Sequence, residues 1–165
     1  MWHKEGILMA LLLLLVRLAS AQPAAKPAVP ALPNTTTVAA DTAHLAPQLT
    51  RNGVRFVFRQ RGAGALPRAG SRVAVRYTGF LPDGHIFDAT AASGGPIRFR
   101  VGRGEVIAGW DELLLLVPVG SRVRAWIPAS LAYGSKGVRD PDDDTRFLIP
   151  PDTELLFEIE VVSAR

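Results

Sequence analysis

The chain has 165 residues, 48% of them apolar and 21% charged, a composition that suits one globular domain with appendages and excludes disorder throughout. It contains no cysteine, which rules out disulfides, thiolate metal sites, a catalytic thiol and a lipidated N-terminal cysteine. Its net charge of +4 rests on sixteen arginines and three lysines scattered singly along the chain, the pattern of solvated strand faces rather than of a nucleic-acid footprint.

Lys4 precedes an unbroken apolar run from Ile7 to Val16, and Ala19-Ser20-Ala21 follows as a small-x-small triplet. That is the layout of a secretory signal, and the apolar run falls well short of the roughly 20 residues a helical membrane span needs. Cleavage is expected after Ala21, giving an exported protein, periplasmic or secreted, with no membrane span. From Gln22 to Leu49 alanine, threonine and proline dominate, with Pro23, Pro27, Pro30, Pro33 and Pro47. A segment so poor in large apolar residues cannot offset its ordering entropy and reads as a flexible tether, residues 22–49. The folded domain is then expected over residues 50–165.

Within it, Val54, Phe56 and Phe58 alternate with Arg55 and Arg59, the period of two of a strand with one packed face. The same alternation returns at Val73, Val75 and Tyr77, at Val123, Ala125 and Ile127, and at Leu155, Phe157, Ile159 and Val161 against Glu154, Glu158 and Glu160. Arg122 and Arg124 share the outer face with those glutamates, so neighbouring strands would pair the charges across the sheet. Pro96 to Val101 reads as a further short strand. Gly109-Trp110-Asp111-Glu112 followed by Leu113 to Val117 predicts one helix, acidic in its first turn and stopped near Pro118 and Gly120. Four leucines in a row leave no polar stripe, so this helix must be covered on most sides or expose leucine. A curled antiparallel sheet of five or six strands holding one short helix on its concave face is the simplest α+β arrangement.

His3, His44 and His85 fall in the signal, the tether and a turn, which allows neither a metal centre nor a histidine-based triad. Gly102-Arg103-Gly104 lacks the spacing and lysine of a phosphate loop. Pro141-Asp142-Asp143-Asp144 is the one acidic cluster, and with no turn glycine and distal glutamate at calcium-loop spacing it reads as a solvated loop. No cofactor is implied.

Aromatic and β-branched residues stand instead at the edges of the regular elements. Val75-Arg76-Tyr77-Thr78-Gly79, Asp83-Gly84-His85-Ile86-Phe87-Asp88, Gly104-Glu105-Val106-Ile107-Ala108-Gly109-Trp110, Ala132-Tyr133-Gly134 and Ile149-Pro150-Pro151-Asp152-Thr153-Glu154-Leu155 occur in that order. In order and spacing these motifs resemble the FKBP-type peptidyl-prolyl isomerases over about residues 53 to 163. The resemblance implies a half-barrel sheet around a short helix, with a shallow apolar pocket between them. It implies Trp110 as the pocket floor, Tyr77, Phe87, Val106, Ile107 and Phe157 as walls, and Ile97, Phe99, Leu148 and Ile149 as further substrate contacts. Tyr77, Asp88 and Tyr133 would be the catalytic set, with Tyr133 and the Ile107 backbone N–H donating to substrate carbonyls and Asp88 orienting the site. Ile97 stands where the family often has an aromatic residue, and Ala91-Ala92-Ser93 lacks the charged residue that often pairs with the aspartate. The stretch from Ser135 to Ile149 is longer and more acidic than in compact members.

The implied partners are proline-containing unfolded or partly folded polypeptides and the macrolide inhibitors of the family, with the protein itself a monomer. Two functions share such a pocket: prolyl isomerisation during the folding of exported proteins, and a binding module or holdase with little turnover.

Overall fold

The computed structural model describes residues 46–143 and 145–165. The expected signal, most of the expected tether and Asp144 lie outside the described residues. The strands are β1 (Gln48–Leu49), β2 (Arg55–Gln60), β3 (Arg72–Phe80), β4 (Ile86–Ala89), β5 (Ile97–Arg100), β6 (Arg122–Ile127), β7 (Val138–Arg139), β8 (Phe147–Ile149) and β9 (Leu155–Ala164). Among the described residues one α-helix, α1 (Ala108–Leu113), sits between β5 and β6.

The main sheet runs β1-β2-β6-β9-β3-β4, with β5 also on β3, and every pairing is antiparallel. β3 serves two neighbours along one edge: Arg72–Val75 pair with β5 and Thr78–Phe80 with β4. The chain can leave and rejoin that edge because β3 is nine residues long. The sheet thus has seven strands, where the sequence suggested five or six. The additions are the two-residue β1 and the four-residue β4, both too short to show an alternating pattern. β1 brings Gln48 and Leu49, the end of the expected tether, onto the edge of the sheet.

The inward alternation is as read from the sequence. Val54, Phe56, Phe58, Val73, Val75, Val123, Ala125, Ile127, Leu155, Phe157, Ile159 and Val161 are all buried, and they form one apolar cluster with Trp110 and Leu113 of α1. The helix therefore lies on the concave face of the sheet. It lies close: a Cβ at Gly109 would come 2.5 Å from Ile127 Cγ2, so only glycine fits where α1 crosses β6.

α1 is shorter than expected, ending at Leu113 rather than near Val117. No helix can bury four consecutive leucines against one sheet. The chain instead tightens into a turn, with Leu116 N–H donating to the Leu113 carbonyl, which buries Leu113, Leu114 and Val117 and leaves Leu116 46% exposed.

On the outer face Arg124 pairs with Glu158, and Glu160 lies between Arg122 at 3.6 Å and Arg76 at 4.0 Å. The cross-strand pairing expected from the sequence is present. The Ser135 to Ile149 stretch is more ordered than a solvated loop, because β7 and β8 pair within it as a hairpin. Asp140 and Asp143 each accept a backbone N–H two residues on, from Asp142 and Thr145, and so shape its tip.

Candidate functional site

The candidate site is built from seven segments, four of them strands of the main sheet. β3 carries Tyr77, β4 carries Phe87 and Asp88, and β5 carries Ile97 and Phe99. Val106 and Ile107 precede α1, which carries Trp110. β9 carries Phe157, while Tyr133 lies between two 3-10 turns and Leu148 and Ile149 lie on β8. All the apolar members of this set belong to, or pack against, the one core cluster.

Four rings interlock at the base. Phe157 lies edge-on to Tyr77, Phe87 and Trp110, with centroids 6.1, 5.6 and 5.3 Å away, and Tyr77 lies edge-on to Trp110 at 4.9 Å. Edge-to-face pairs at these separations are favoured by the ring quadrupoles and leave little rotational freedom. Phe99 backs Trp110 at 5.9 Å. Trp110 and Phe157 are sealed, at 1% and 0% exposure, so they support the surface from below. Ile97, Tyr133 and Leu148 are only partly buried and form its accessible rim.

The cluster depends on a glycine. A Cβ at Gly79 would come 2.6 Å from Phe87 Cζ and 3.0 Å from Phe157 Cε1, so the two rings fold over β3 where it has no side chain. The Tyr77-Thr78-Gly79 motif thus has a packing cause.

The polar part of the site is as compact. The Tyr77 hydroxyl donates to Asp88 Oδ2 across β3 and β4. Burial pushes the Asp88 carboxyl above the usual carboxylate range, against the opposing pull of hydrogen bonds from Tyr77 and the Ala89 backbone. Burial, followed by the bond to Asp88, likewise raises the Tyr77 phenol well above its ordinary value. Tyr77 therefore remains a donor.

Ile107 sits at the helix entrance with an extended ψ of 145°. Its carbonyl accepts from Trp110 and Asp111 N–H, and among the described residues its own N–H has no acceptor in the chain. A backbone donor beside Trp110 is thus left for a ligand.

Sequence reasoning passed over two supports. Thr90 is 4% exposed; its Oγ1 accepts from Tyr77 N–H at 3.0 Å, and its own N–H donates to the Tyr77 carbonyl. Its signal was the continuation of the Phe87-Asp88 stretch through Ala89 to a second small polar residue. Asp111, read only as an acidic residue in a helical first turn, turns its carboxylate to the loop before the helix, accepting from Gly102 N–H at 2.8 Å and Gly104 N–H at 2.7 Å.

The arrangement offers interlocked rings under a partly exposed apolar surface, a hydroxyl bonded to a carboxyl, and a backbone N–H without an acceptor among the described residues. It suits holding a small apolar ring while a neighbouring carbonyl is caught.

Residues 64–162 match the family model of the FKBP-type peptidyl-prolyl cis-trans isomerase. The chain is 42% identical over 113 residues to the FKBP-type 22 kDa peptidyl-prolyl cis-trans isomerase of Escherichia coli (strain K12). That alignment takes in 68% of this chain and 50% of the relative, so the chain spans about half the relative's length. Among solved structures, the peptidyl-prolyl cis-trans isomerase of Pseudomonas syringae pv. tomato superposes with a TM-score of 0.62 at 39% identity, over 72% of this chain and 80% of the other. AtFKBP13 superposes with a TM-score of 0.68 at 32% identity, over 73% and 99%. Since the matched residues contain the helix, β3 to β8, most of β9 and every segment of the candidate site, the chain belongs to the FKBP-type peptidyl-prolyl cis-trans isomerase family.

Proposed function

We propose that the chain catalyses cis/trans isomerisation of X-Pro bonds in unfolded or partly folded polypeptides outside the cytosol. Its ligands would be proline-containing segments and the macrolides that compete for the same site. The observation that carries this reading is the uncommitted Ile107 N–H beside the sealed Trp110 floor.

Rotation about an X-Pro bond breaks amide resonance, and the barrier of roughly 18–20 kcal/mol leaves exchange at tens to hundreds of seconds. At the twisted transition state the amide has lost conjugation and much of its dipole, so an apolar surface solvates it better relative to the ground state than water does. The proline ring rests on Trp110 between Tyr77, Phe87 and Phe157, with Phe99, Val106 and Ile149 behind. The acyl side turns over the rim formed by Ile97 and Leu148. The Ile107 N–H holds a substrate carbonyl from the bound ground state on, and the Tyr133 hydroxyl catches the moving carbonyl in the twisted geometry, a differential binding worth a few kcal/mol. Tyr77 and Asp88 hold each other, which fixes the wall that faces the moving carbonyl. No nucleophile or base enters this scheme; the one carboxyl named in it, that of Asp88, is engaged by the Tyr77 hydroxyl.

The secretory layout of residues 1–21 supports export, with periplasmic or secreted clients. The test is exchange spectroscopy by NMR on a short X-Pro peptide with a catalytic amount of the full chain. Faster exchange supports the isomerase; peptide binding with an unchanged exchange rate would replace it with a holdase.

A further inference from the structure

Val106 and Ile107 hang between two anchor points, and one residue, Asp111, joins both, by its side chain upstream and its backbone N–H downstream. On the upstream side, Gly102 and Gly104 have φ of 72° and 68°, and their N–H groups converge on the two carboxylate oxygens of Asp111. On the downstream side, Asp111 N–H donates to the Ile107 carbonyl at 3.3 Å. Only Glu105 and Val106 lie between, and Glu105 Oε2 accepts from Arg100 N–H at 2.9 Å, closing the loop back onto β5. The helix entrance has no side-chain cap. The carboxylate is thus committed to the loop, where charge-assisted bonds to two backbone donors are stronger than neutral ones.

We propose that Asp111 is a positioning residue for X-Pro substrates: its carboxylate fixes the Gly102–Gly104 turn, and through it the place of Val106 and of the Ile107 N–H over the Trp110 floor. The inference rests on the isomerase reading of the site. Its consequence is specific. With the clamp removed, the loop samples positions in which Ile107 N–H misses the substrate carbonyl, and apparent affinity falls by the fraction of molecules in the competent position. Once substrate is bound the loop is in place, so the twisting step is unchanged.

Asp111→Asn tests this, since an amide of the same shape retains one acceptor and sets its NH2 group against the other N–H. For the full chain acting on a short peptide with leucine before proline, KM is expected to rise about tenfold while kcat stays within about twofold. In 15N-resolved NMR spectra the Gly102 and Gly104 amide signals are expected to shift and broaden in the variant, and to sharpen when it is saturated with the peptide, because coupling between loop and ligand is reciprocal. A purely structural contact would lower the melting temperature and leave KM unchanged, and that result overturns the proposal. So does a loss carried by kcat. If the wild-type chain binds the peptide without accelerating exchange, the isomerase reading fails, and the ratio of the two proteins' dissociation constants decides the role of Asp111 alone: tenfold supports it, unity overturns it. If Asp111→Asn does not fold, Asp111→Glu, which carries both oxygens one methylene further out, takes its place under the same criteria.

Discussion

Tyr77 is held at both ends: its backbone by Thr90 and its hydroxyl by Asp88, while its ring is wedged against Trp110 and Phe157. Such over-determination makes it a poor position to probe, since any change disturbs packing and polarity together. Tyr133 is the cleaner probe, lying partly buried between two 3-10 turns. Tyr133→Phe removes one hydroxyl and keeps the ring; turnover in exchange spectroscopy should fall about tenfold, the loss expected for one donor in a transition-state contact. A melting temperature lowered by many degrees would make Tyr133 structural instead. Asp88 gives a test by pH. Its carboxyl is raised by burial, so between the ordinary carboxylate value and the raised one the folded state binds more protons than the unfolded state. Stability from this group therefore falls as pH rises through that window and is recovered on acidification. Asp88→Asn cannot ionise, so the difference in unfolding free energy between variant and wild type should grow in the variant's favour across the window and level off above it. Denaturant titrations at a series of pH values measure it, and a flat difference would mean that Asp88 is solvated in the folded protein.

The ion pairs of the outer face belong to the sheet as a unit. Arg124 pairs with Glu158 where the two side chains are 32% and 47% exposed, and at such exposure Coulomb attraction is largely offset by solvent screening and side-chain entropy. Arg124→Ala should cost under about 1 kcal/mol in urea unfolding, and the cost should shrink in high salt. A larger, salt-independent loss would assign Arg124 a packing role. The long strands β2, β3, β6 and β9 were legible because each alternates over at least six residues, so period and burial agree. β4 was not: Ile86, Phe87 and Asp88 read as outliers beyond an element, and the strand exists because β3 extends past β5 and offers them partners. The helix was placed but drawn too long, since the leucine run carries no periodic stop and its end is set by how many leucines the concave face can cover. The β7–β8 hairpin was hidden by its composition; Asp140 and Asp143 look solvated in the sequence but spend their carboxylates on the turn. The apolar residues that the structure packs together at the candidate site were named through motif order, whereas Thr90 and Asp111 make hydrogen bonds to the backbone, which neither hydrophobic period nor a residue list reveals.

At the scale of the molecule the remaining question is where the working unit begins and whether it needs a second copy. β1 adds Gln48 and Leu49 to the sheet edge, and Thr50, 4% exposed, accepts Val54 N–H on its hydroxyl oxygen at 3.0 Å. The sheet therefore takes in Gln48 and Leu49, which the sequence assigns to the tether. Across the outer face one register row joins Leu49, Arg55, Trp126, Leu156, Phe80 and Ile86, and it is apolar except at one point. Arg55 stands there, its guanidinium 5.5 Å from the Trp126 ring centroid and bound to Glu154 at 2.9 Å. That ion pair interrupts the row beside Leu49 and leaves Trp126, Leu156, Phe80 and Ile86 contiguous. The strongly exposed members, Leu49 at 67% and Ile86 at 53%, are left at opposite ends of the sheet, and exposed apolar residues set apart in this way do not drive association. A chain of residues 46–165 should therefore elute as a monomer in gel filtration and accelerate X-Pro exchange as fast as the full chain. A chain of residues 52–165, without β1 and the Thr50 contact, should melt several degrees lower. A dimer in the full chain that vanishes on removal of residues 1–45 would assign association to that segment. A dimer that persists in residues 46–165 but is split by Trp126→Glu would show that the contiguous part of the row, from Trp126 to Ile86, associates despite the Arg55–Glu154 pair.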